Sequence, residues 1–155
     1  MSASETRAAL THLYDALARR DGDAMAALYA PDATFEDPVF QLRGEDIGRM
    51  WIALTRRARE FAVSYTVTEA NDDSGKVEWT ARYLFAGKSP VVNAIRSQIE
   101  LREGKIVRQV DRFDFPRWAA QALGTTGKLF GRFAWFRHAV SRRITRKLGL
   151  GARPV

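Results

Sequence analysis

The sequence reads FAVSYTV at residues 61–67, VEWTARYLF at 77–85, NAIRSQIEL at 93–101 and VRQVDRFDF at 107–115. In each run, mostly apolar or aromatic residues occupy every second position. Successive side chains of a β-strand point to opposite faces, so this alternation predicts strands with one buried face. Segments rich in Gly, Asn, Asp and Pro separate the runs and favour tight turns. The four runs therefore predict an antiparallel meander.

Helical patterns precede the meander. Ser2 and Glu5 have the spacing of a capping box, which marks the start of a first helix. Tyr14 lies in the apolar stripe of that helix, and Trp51 lies in the stripe of a third helix that follows a short second one. A short strand is predicted at 33–37 between the second and third helices. Helices followed by a run of strands are typical of an α+β domain, with the helices packed on one face of a curved sheet.

Composition excludes several kinds of site. The chain has 155 residues, enough for one domain with a sizeable core. It contains no cysteine and two histidines, so disulfides and thiolate metal sites are excluded, and we expect neither a metal site nor a cofactor. A cysteine-free chain fits a reducing compartment. The first residues lack the pattern of a signal peptide, so we expect a cytoplasmic protein.

Charge divides the chain into two parts. All 18 acidic residues lie in 1–115, whereas 116–155 contains nine of the 25 basic residues. We therefore predict a domain at 1–115 and a basic amphipathic helical extension at 116–155. Within the extension, the spacing predicts a short helix at 118–123 and a longer one at 128–148. The basic helix could pack over the domain or a dimer partner, touch an anionic membrane surface, or contact nucleic acid.

Two stretches carry a resemblance to a known family. Residues 13–23 and 27–38, the latter reading ALYAPDATFEDP, resemble the opening of ketosteroid-isomerase-like and SnoaL-like proteins. Residues 104–115, GKIVRQVDRFDF, are similar to the last hairpin of the same group, the nuclear transport factor 2-like superfamily. The resemblance spans residues 5–115. It implies a cystatin-like α+β cone, in which a curved antiparallel sheet wraps around three N-terminal helices, and it implies a homodimer.

The resemblance assigns roles to two residues. Asp37 matches the general base of the ketosteroid-isomerase pattern, and Tyr14 matches its hydroxyl donor. Asp37 stands two positions after Phe35, so both side chains share one face of a strand. A carboxylate in an apolar pocket has a raised pKa, which suits proton transfer near neutral pH. Alternatively, Asp37 caps a turn before Pro38, and Tyr14 is a core tyrosine bonded to a carbonyl.

The second acid of the isomerase pattern has no counterpart here. Aligning the sequence forward along the third predicted strand places Arg96 at that position. Aligning it by the alternation of buried and exposed residues places Ser97 there instead. The alternation is the firmer guide, because Ile95 and Ile99 define the buried face. Ser97 is therefore expected in the pocket and Arg96 outside it. Since neither is an acid, this departure weakens the expectation of steroid isomerase activity.

Asp111 lies on the inward phase of the last strand. An acid on the core face of a strand is costly unless it is paired or functional, so Asp111 is a candidate for orienting or polarising a substrate. Alternatively, it makes a buried hydrogen bond to Arg82, Tyr14 or a backbone amide. Gln109 stands where many SnoaL-like sequences have a histidine, and a glutamine cannot act as a base.

These patterns together suggest a pocket for a small hydrophobic ligand that is flat or cyclic. The residues expected to contact it are Phe35, Trp51, Trp79, Asn93, Ser97, Gln109 and Phe113. The function predicted is a cofactor-independent acid–base enzyme of the isomerase, cyclase or hydrolase type, in which Asp37 accepts a proton and Tyr14 and Asp111 orient or polarise. The alternative is a non-catalytic ligand-binding protein, or a dimeric scaffold whose basic extension docks a partner or membrane.

Overall fold

The computed structural model describes residues 1–151, so residues 152–155 of the predicted extension lie outside the described part. The helices are α1 (Ala3–Ala18), α2 (Gly22–Ala26), α3 (Glu45–Arg57), α4 (Phe115–Phe130) and α5 (Ala134–Lys147). The strands are β1 (Tyr29–Glu36), β2 (Gln41–Arg43), β3 (Arg59–Ala70), β4 (Ser74–Phe85), β5 (Ser89–Arg102) and β6 (Lys105–Arg112).

The six strands form one curved, open sheet in the order β2-β1-β6-β5-β4-β3. Every neighbouring pair is antiparallel except β1 and β6, which run parallel. The predicted α+β cone is confirmed, and the parallel pair is a detail that the alternation could not reveal. The pair matters because it brings the end of β1, just before Asp37, beside the C-terminal end of β6.

The N-terminal helices pack against the sheet. The predicted capping box is present at the start of α1, where the Glu5 N–H donates to Ser2 Oγ at 3.1 Å. α1 contacts β3 and β4, and α3 contacts β1 and β2. Leu10 and Leu13 of α1 are fully buried, and burying one such side chain contributes roughly 1.5–3 kcal/mol. Helix burial on the sheet therefore supplies much of the core.

A β-bulge in β6 decides which of its side chains face the core. Leu101 pairs with Ile106, but Glu100 pairs with Arg108, so one extra residue enters β6 at Val107. Before the bulge Ile106 faces the core. Beyond it the inward positions shift by one residue, and Asp111 comes opposite Ser97 on the buried face. Without the bulge, the phase carried on from Ile106 would turn Val110 inward instead.

The extension covers a free strand edge and differs from the predicted helices. β6 ends before the first part of β5, and the Gln121 side chain of α4 bonds the backbone of Val92 there, accepting from its N–H at 2.7 Å. α4 reverses at Gly124, whose φ of 61° suits glycine. A Cβ at Gly127 would collide with the Ala119 carbonyl, so the two arms of α4 pack closely only because Gly127 has none.

The prediction of one helix over 128–148 was wrong, because the chain breaks between α4 and α5. Gly131 ends α4, and α5 then packs on the turn after β1. Its Arg137 donates from Nη1 to the Pro38 carbonyl at 3.0 Å, and Ser141 Oγ donates to the Val39 carbonyl. Among residues 1–151, no helix combines the length and apolar character needed to cross a bilayer.

Candidate active site

A cavity of about 640 Å³ lies between the sheet, α3 and the C-terminal helices. Its wall is mostly apolar and aromatic, and its size is that of a small-molecule site. Apart from basic residues at its rim, four polar side chains reach it from the sheet and the end of β1: Asp37, Tyr83, Asn93 and Asp111. The cavity can therefore hold an apolar ligand and form hydrogen bonds with a few of its polar atoms.

Asp37 is fixed by the turn that follows β1. Its Oδ1 accepts the backbone N–H of Val39 at 2.7 Å and that of Phe40 at 2.6 Å. The residue thus both caps the turn and lines the cavity, so the two alternatives offered by the sequence, a turn cap and a pocket residue, are compatible. Its Oδ2 accepts no hydrogen bond from residues 1–151. One oxygen therefore orients the carboxyl group, and the other is available to a ligand.

Asp37 and Asp111 share the cavity because their strands are parallel. Glu36 pairs with Val110, and the two aspartates are the next residues along each chain. The pKa of Asp37 is raised from its usual 3.8 to about 7. Burial is the main cause and the charge of Asp111 adds to it, while the hydrogen bonds from Phe40 and Val39 lower the pKa. Burial raises the pKa of Asp111 to about 6, although hydrogen bonds from Ser97 and Gln109 lower it.

A buried hydrogen-bond network lies behind the cavity wall. Ser97 is its centre: Ser97 Oγ donates to Asp111 Oδ1 at 2.6 Å and accepts from Tyr14 Oη at 2.7 Å and Trp79 Nε1 at 2.9 Å. Gln109 Nε2 donates to the same Asp111 oxygen at 3.0 Å. Within residues 1–151, every side-chain nitrogen and oxygen that is completely closed off from solvent has a partner. The network therefore holds Asp111 in one orientation.

The network continues through Gln109 to α3. Tyr29 Oη donates to Gln109 Oε1 at 2.6 Å and accepts from Trp51 Nε1 at 2.9 Å. Burial raises the pKa of Tyr14 and of Tyr29 well above the usual tyrosine range, so both stay neutral donors. The indole N–H of Trp51 and that of Trp79 are both bonded, which fixes the two rings against the cavity.

The structure corrects part of the predicted site. Tyr14, Ser97 and Gln109 do not line the cavity but lie behind its wall, because their polar atoms bond one another and Asp111. Ser97 is buried, as the alternation predicted, and Arg96 is exposed. Asp111 bonds Ser97 and Gln109 rather than Arg82, Tyr14 or a backbone amide. The predicted residues that do line the cavity are Asp37, Asp111, Phe35, Trp51, Trp79, Asn93 and Phe113.

Tyr83 was missing from the predicted site. Its Oη accepts from Trp118 Nε1 at 2.8 Å, and its own proton has no acceptor among residues 1–151. Asn93, which was predicted, likewise makes no side-chain hydrogen bond within that range, so both can donate to a ligand. Tyr83 shares the alternation phase of Trp79, and this signal could have identified it. No pattern indicated that Trp118 and Leu148 of the extension also line the cavity.

The mouth of the cavity is basic. Arg57, Arg59 and Lys147 line it and are exposed. An exposed end of a bound ligand would therefore meet positive charge, while its inner end meets the two aspartates. In the part of the chain that the structure describes, no three His, Cys, Asp or Glu side chains are grouped to hold a metal ion.

Desolvation of Asp37 predicts a pH-dependent stability. A carboxyl group with a raised pKa holds its proton more tightly in the folded chain, so stability falls as pH rises from about 4 to about 7. Asp37→Asn removes that charge. In urea unfolding, we expect the free energy of unfolding of the variant minus that of the parent to increase between pH 5 and pH 8, by on the order of 3 kcal/mol.

The exposed Asp72→Asn variant is the control for a change of net charge. Its stability relative to the parent should change little over the same range. A difference between Asp37→Asn and the parent that stays constant with pH would show that this carboxyl group is not desolvated.

Comparisons with known proteins agree with this architecture. The sequence model of the SnoaL-like domain matches residues 10–109, and no curated protein matches the sequence. An LEH-like epoxide hydrolase from M. tuberculosis has a TM-score of 0.63 and 20% identity, with 81% of this chain and 95% of that chain covered. An NTF2-like protein of unknown function from Burkholderia pseudomallei has a TM-score of 0.67 and 18% identity, covering 79% and 98%.

A third structure contains a small ligand. It is a hypothetical protein with a ketosteroid isomerase-like fold from Catenulispora acidiphila, in complex with trimethylamine. Its TM-score is 0.61 at 19% identity, with 74% of this chain and 91% of that chain covered. At such identities the structures establish the fold alone. The sequence match covers most of the chain, and we conclude that this protein belongs to the SnoaL-like domain family, with the NTF2-like cone fold.

Proposed function

We propose that the chain is a cofactor-independent acid–base enzyme of the isomerase, cyclase or hydrolase type that acts on a small hydrophobic substrate. One observation carries the proposal: Asp37 lines an apolar cavity, one of its carboxylate oxygens accepts no hydrogen bond from residues 1–151, and its pKa is raised to about 7. A base whose pKa lies near the working pH transfers protons most effectively. Asp37 is accordingly the proposed proton acceptor.

The proposed step is a proton abstraction next to a carbonyl group. Asp37 Oδ2 takes the proton from carbon, and the electron pair of that C–H bond moves onto the carbonyl oxygen to form an enolate. Asn93 and Tyr83 have donors available for that oxygen, and such donors stabilise the developing charge. Protonated Asp37 then returns the proton to the same or a conjugated carbon, so no redox partner is needed.

Asp111 and its network have a supporting role in this proposal. One Asp111 oxygen is bonded to Ser97 and Gln109, and the residue also lines the cavity, so the carboxyl group can orient a substrate or a water molecule. Tyr14 acts through Ser97, which makes it a positioning residue rather than a catalytic one. This replaces the expectation that Tyr14 polarises the substrate directly.

The shape of the cavity limits the substrate class. Trp51 and Trp79 lie 6.5 Å apart between ring centroids, and Phe35 meets Trp51 edge-on at 5.8 Å. Fixed aromatic walls favour a flat or cyclic apolar body. The basic mouth favours a neutral or anionic exposed end over a cationic one. The structural similarity to an LEH-like epoxide hydrolase supports catalysis on this fold.

Hydrogen–deuterium exchange tests the proposal without the natural substrate. We expect the protein to accelerate exchange of the α-hydrogens of 1-tetralone, a flat bicyclic ketone, in D₂O followed by NMR. Because Asp37 must be ionised to accept a proton, the rate should rise through about pH 7 and then level off. In parallel, hydrolysis of styrene oxide to its glycol tests whether the protein is an enzyme of the hydrolase type.

A second candidate function is non-catalytic binding of a small apolar ligand. The observation that favours it is that the Tyr14 and Ser97 hydroxyls are both bonded within the wall, which leaves fewer donors for catalysis. A binder would show a rise in melting temperature with 1-tetralone, and neither exchange nor epoxide opening above the buffer rate.

Several further expectations stay predictions. These are the homodimer, the cytoplasmic location, the scaffold role, and the division into a domain at 1–115 and an extension at 116–155. The contacts of α4 and α5 with the cavity support a role for the extension in the site itself, because Trp118 and Leu148 contribute to its wall.

A further inference from the structure

An exposed apolar cluster lies where α4 meets α5. The cluster, here termed the aromatic corner, consists of Leu129, Phe130, Phe133 and Trp135, with exposed fractions of 60%, 38%, 40% and 58%. Its rings contact one another: Phe130 and Trp135 are 5.6 Å apart, and Phe133 stacks on Trp135 at 6.2 Å. Isolated apolar residues are common on surfaces, but a contiguous aromatic cluster marks an interaction site.

The surroundings of the aromatic corner are uniformly basic. Lys128 and Arg132 are exposed and adjoin it in sequence, and the Arg132 guanidinium lies 5.3 Å from the Phe133 ring centroid. Residues 116–155 contain no acidic residue. Within residues 1–151, no ion pair neutralises any basic side chain of α4 or α5. A molecule that binds the aromatic corner would therefore contact basic side chains whose charge no ion pair neutralises.

The basic surface continues along α5. Arg142 and Arg146 follow Trp135 at spacings of seven and eleven residues, which aligns all three on one helical face, and Arg143 adjoins that row. All four side chains are exposed. An aromatic tip at one end of a row of arginines is the arrangement of helices that lie in a membrane interface.

We propose that the aromatic corner and the basic face of α5 dock on an anionic lipid surface. Trp and Phe side chains enter the interfacial region of a bilayer, and each basic residue near an anionic leaflet adds electrostatic attraction. The charge pattern distinguishes this occupant from a second copy of the chain. A two-fold dimer would place the corner against itself and bring Lys128 and Arg132 against like charges.

Nucleic acid fits the aromatic corner less well than lipid. Recognition of single strands relies on open aromatic faces on which bases stack. The Phe133 ring is already in contact with Trp135 and Arg132. Leu129, the most exposed member of the corner, is aliphatic and offers no ring for stacking. An apolar cluster with few open ring faces suits insertion among lipid chains.

Co-sedimentation of the full chain with vesicles tests this proposal. The vesicles contain phosphatidylcholine alone or with about a third phosphatidylglycerol. We expect binding to the anionic vesicles that weakens at least tenfold when NaCl rises from about 0.1 M to about 0.5 M. Trp135 is the exposed tryptophan, whereas Trp51, Trp79 and Trp118 are buried, so vesicles should also shift the fluorescence to shorter wavelength.

Two pairs of substitutions separate the contributions. Trp135→Ala with Phe133→Ala should weaken vesicle binding about tenfold by removing apolar insertion. Arg142→Glu with Arg143→Glu should weaken it about 100-fold. Val92→Ala and Lys88→Glu, at an exposed apolar and an exposed basic position outside the extension, are the matched controls and should leave binding nearly unchanged.

Three results would overturn the proposal. The first is equal binding to neutral and anionic vesicles, or none to either. The second is self-association, measured by sedimentation, that depends on Trp135 and Phe133. The third is salt-sensitive binding of a single-stranded oligonucleotide that exceeds vesicle binding and depends on the same arginines.

Discussion

Asp37→Asn is expected to lower the rate of α-hydrogen exchange by about 10²- to 10⁴-fold, the contribution usual for a positioned general base. An amide cannot accept the substrate proton at neutral pH. The substitution keeps the turn, because the amide oxygen of asparagine can still accept the N–H groups of Val39 and Phe40. The loss should therefore appear in the catalytic rate and not in the folded fraction, measured by circular dichroism.

Binding measurements distinguish a lost base from a lost pocket. The variant should retain the affinity of the parent for 1-tetralone, measured as a shift in melting temperature, because the aromatic walls are unchanged. Asp111→Asn is the companion variant, and we expect a smaller loss, since that carboxyl group is proposed to orient rather than abstract. Exchange at the parental rate in Asp37→Asn would remove Asp37 from the mechanism.

Ser97→Val is expected to destabilise the fold by about 3–6 kcal/mol, because it removes the hydroxyl at the centre of the buried network. The substitution leaves Tyr14 Oη and Trp79 Nε1 without acceptors and removes one donor from Asp111. A buried polar group that loses its partner costs about 1–3 kcal/mol. Urea unfolding at fixed pH measures the change.

Tyr14→Phe is the matched control for the network. It removes one hydroxyl but leaves Ser97 bonded to Trp79 and Asp111, so we expect a loss of only about 1 kcal/mol. If the two variants were equally stable, Ser97 would not be the centre of the network. If Ser97→Val matched the parent, the hydroxyl would be replaceable by packing alone.

The sequence determined the architecture through local periodicity. Alternation over 61–115 identified the four meander strands, and it oriented Ser97 inward and Arg96 outward, because residues two apart on a strand share a face. The capping box identified the start of α1. Such features depend on neighbours within a few residues, so they can be read without knowing the rest of the molecule.

The tertiary structure alone decided which of the predicted polar groups reach the cavity and which lie behind its wall. The parallel pairing of β1 with β6 sets Asp37 beside Asp111. Tyr14 shares the buried face expected for it, yet its hydroxyl is bonded to Ser97 behind the wall. Trp118 and Leu148 of the extension are brought to the cavity wall, and Leu148 is far in sequence from the strands that supply the polar groups of the cavity. Each of these outcomes depends on contacts between residues distant in sequence, which the local periodicity of a chain does not encode.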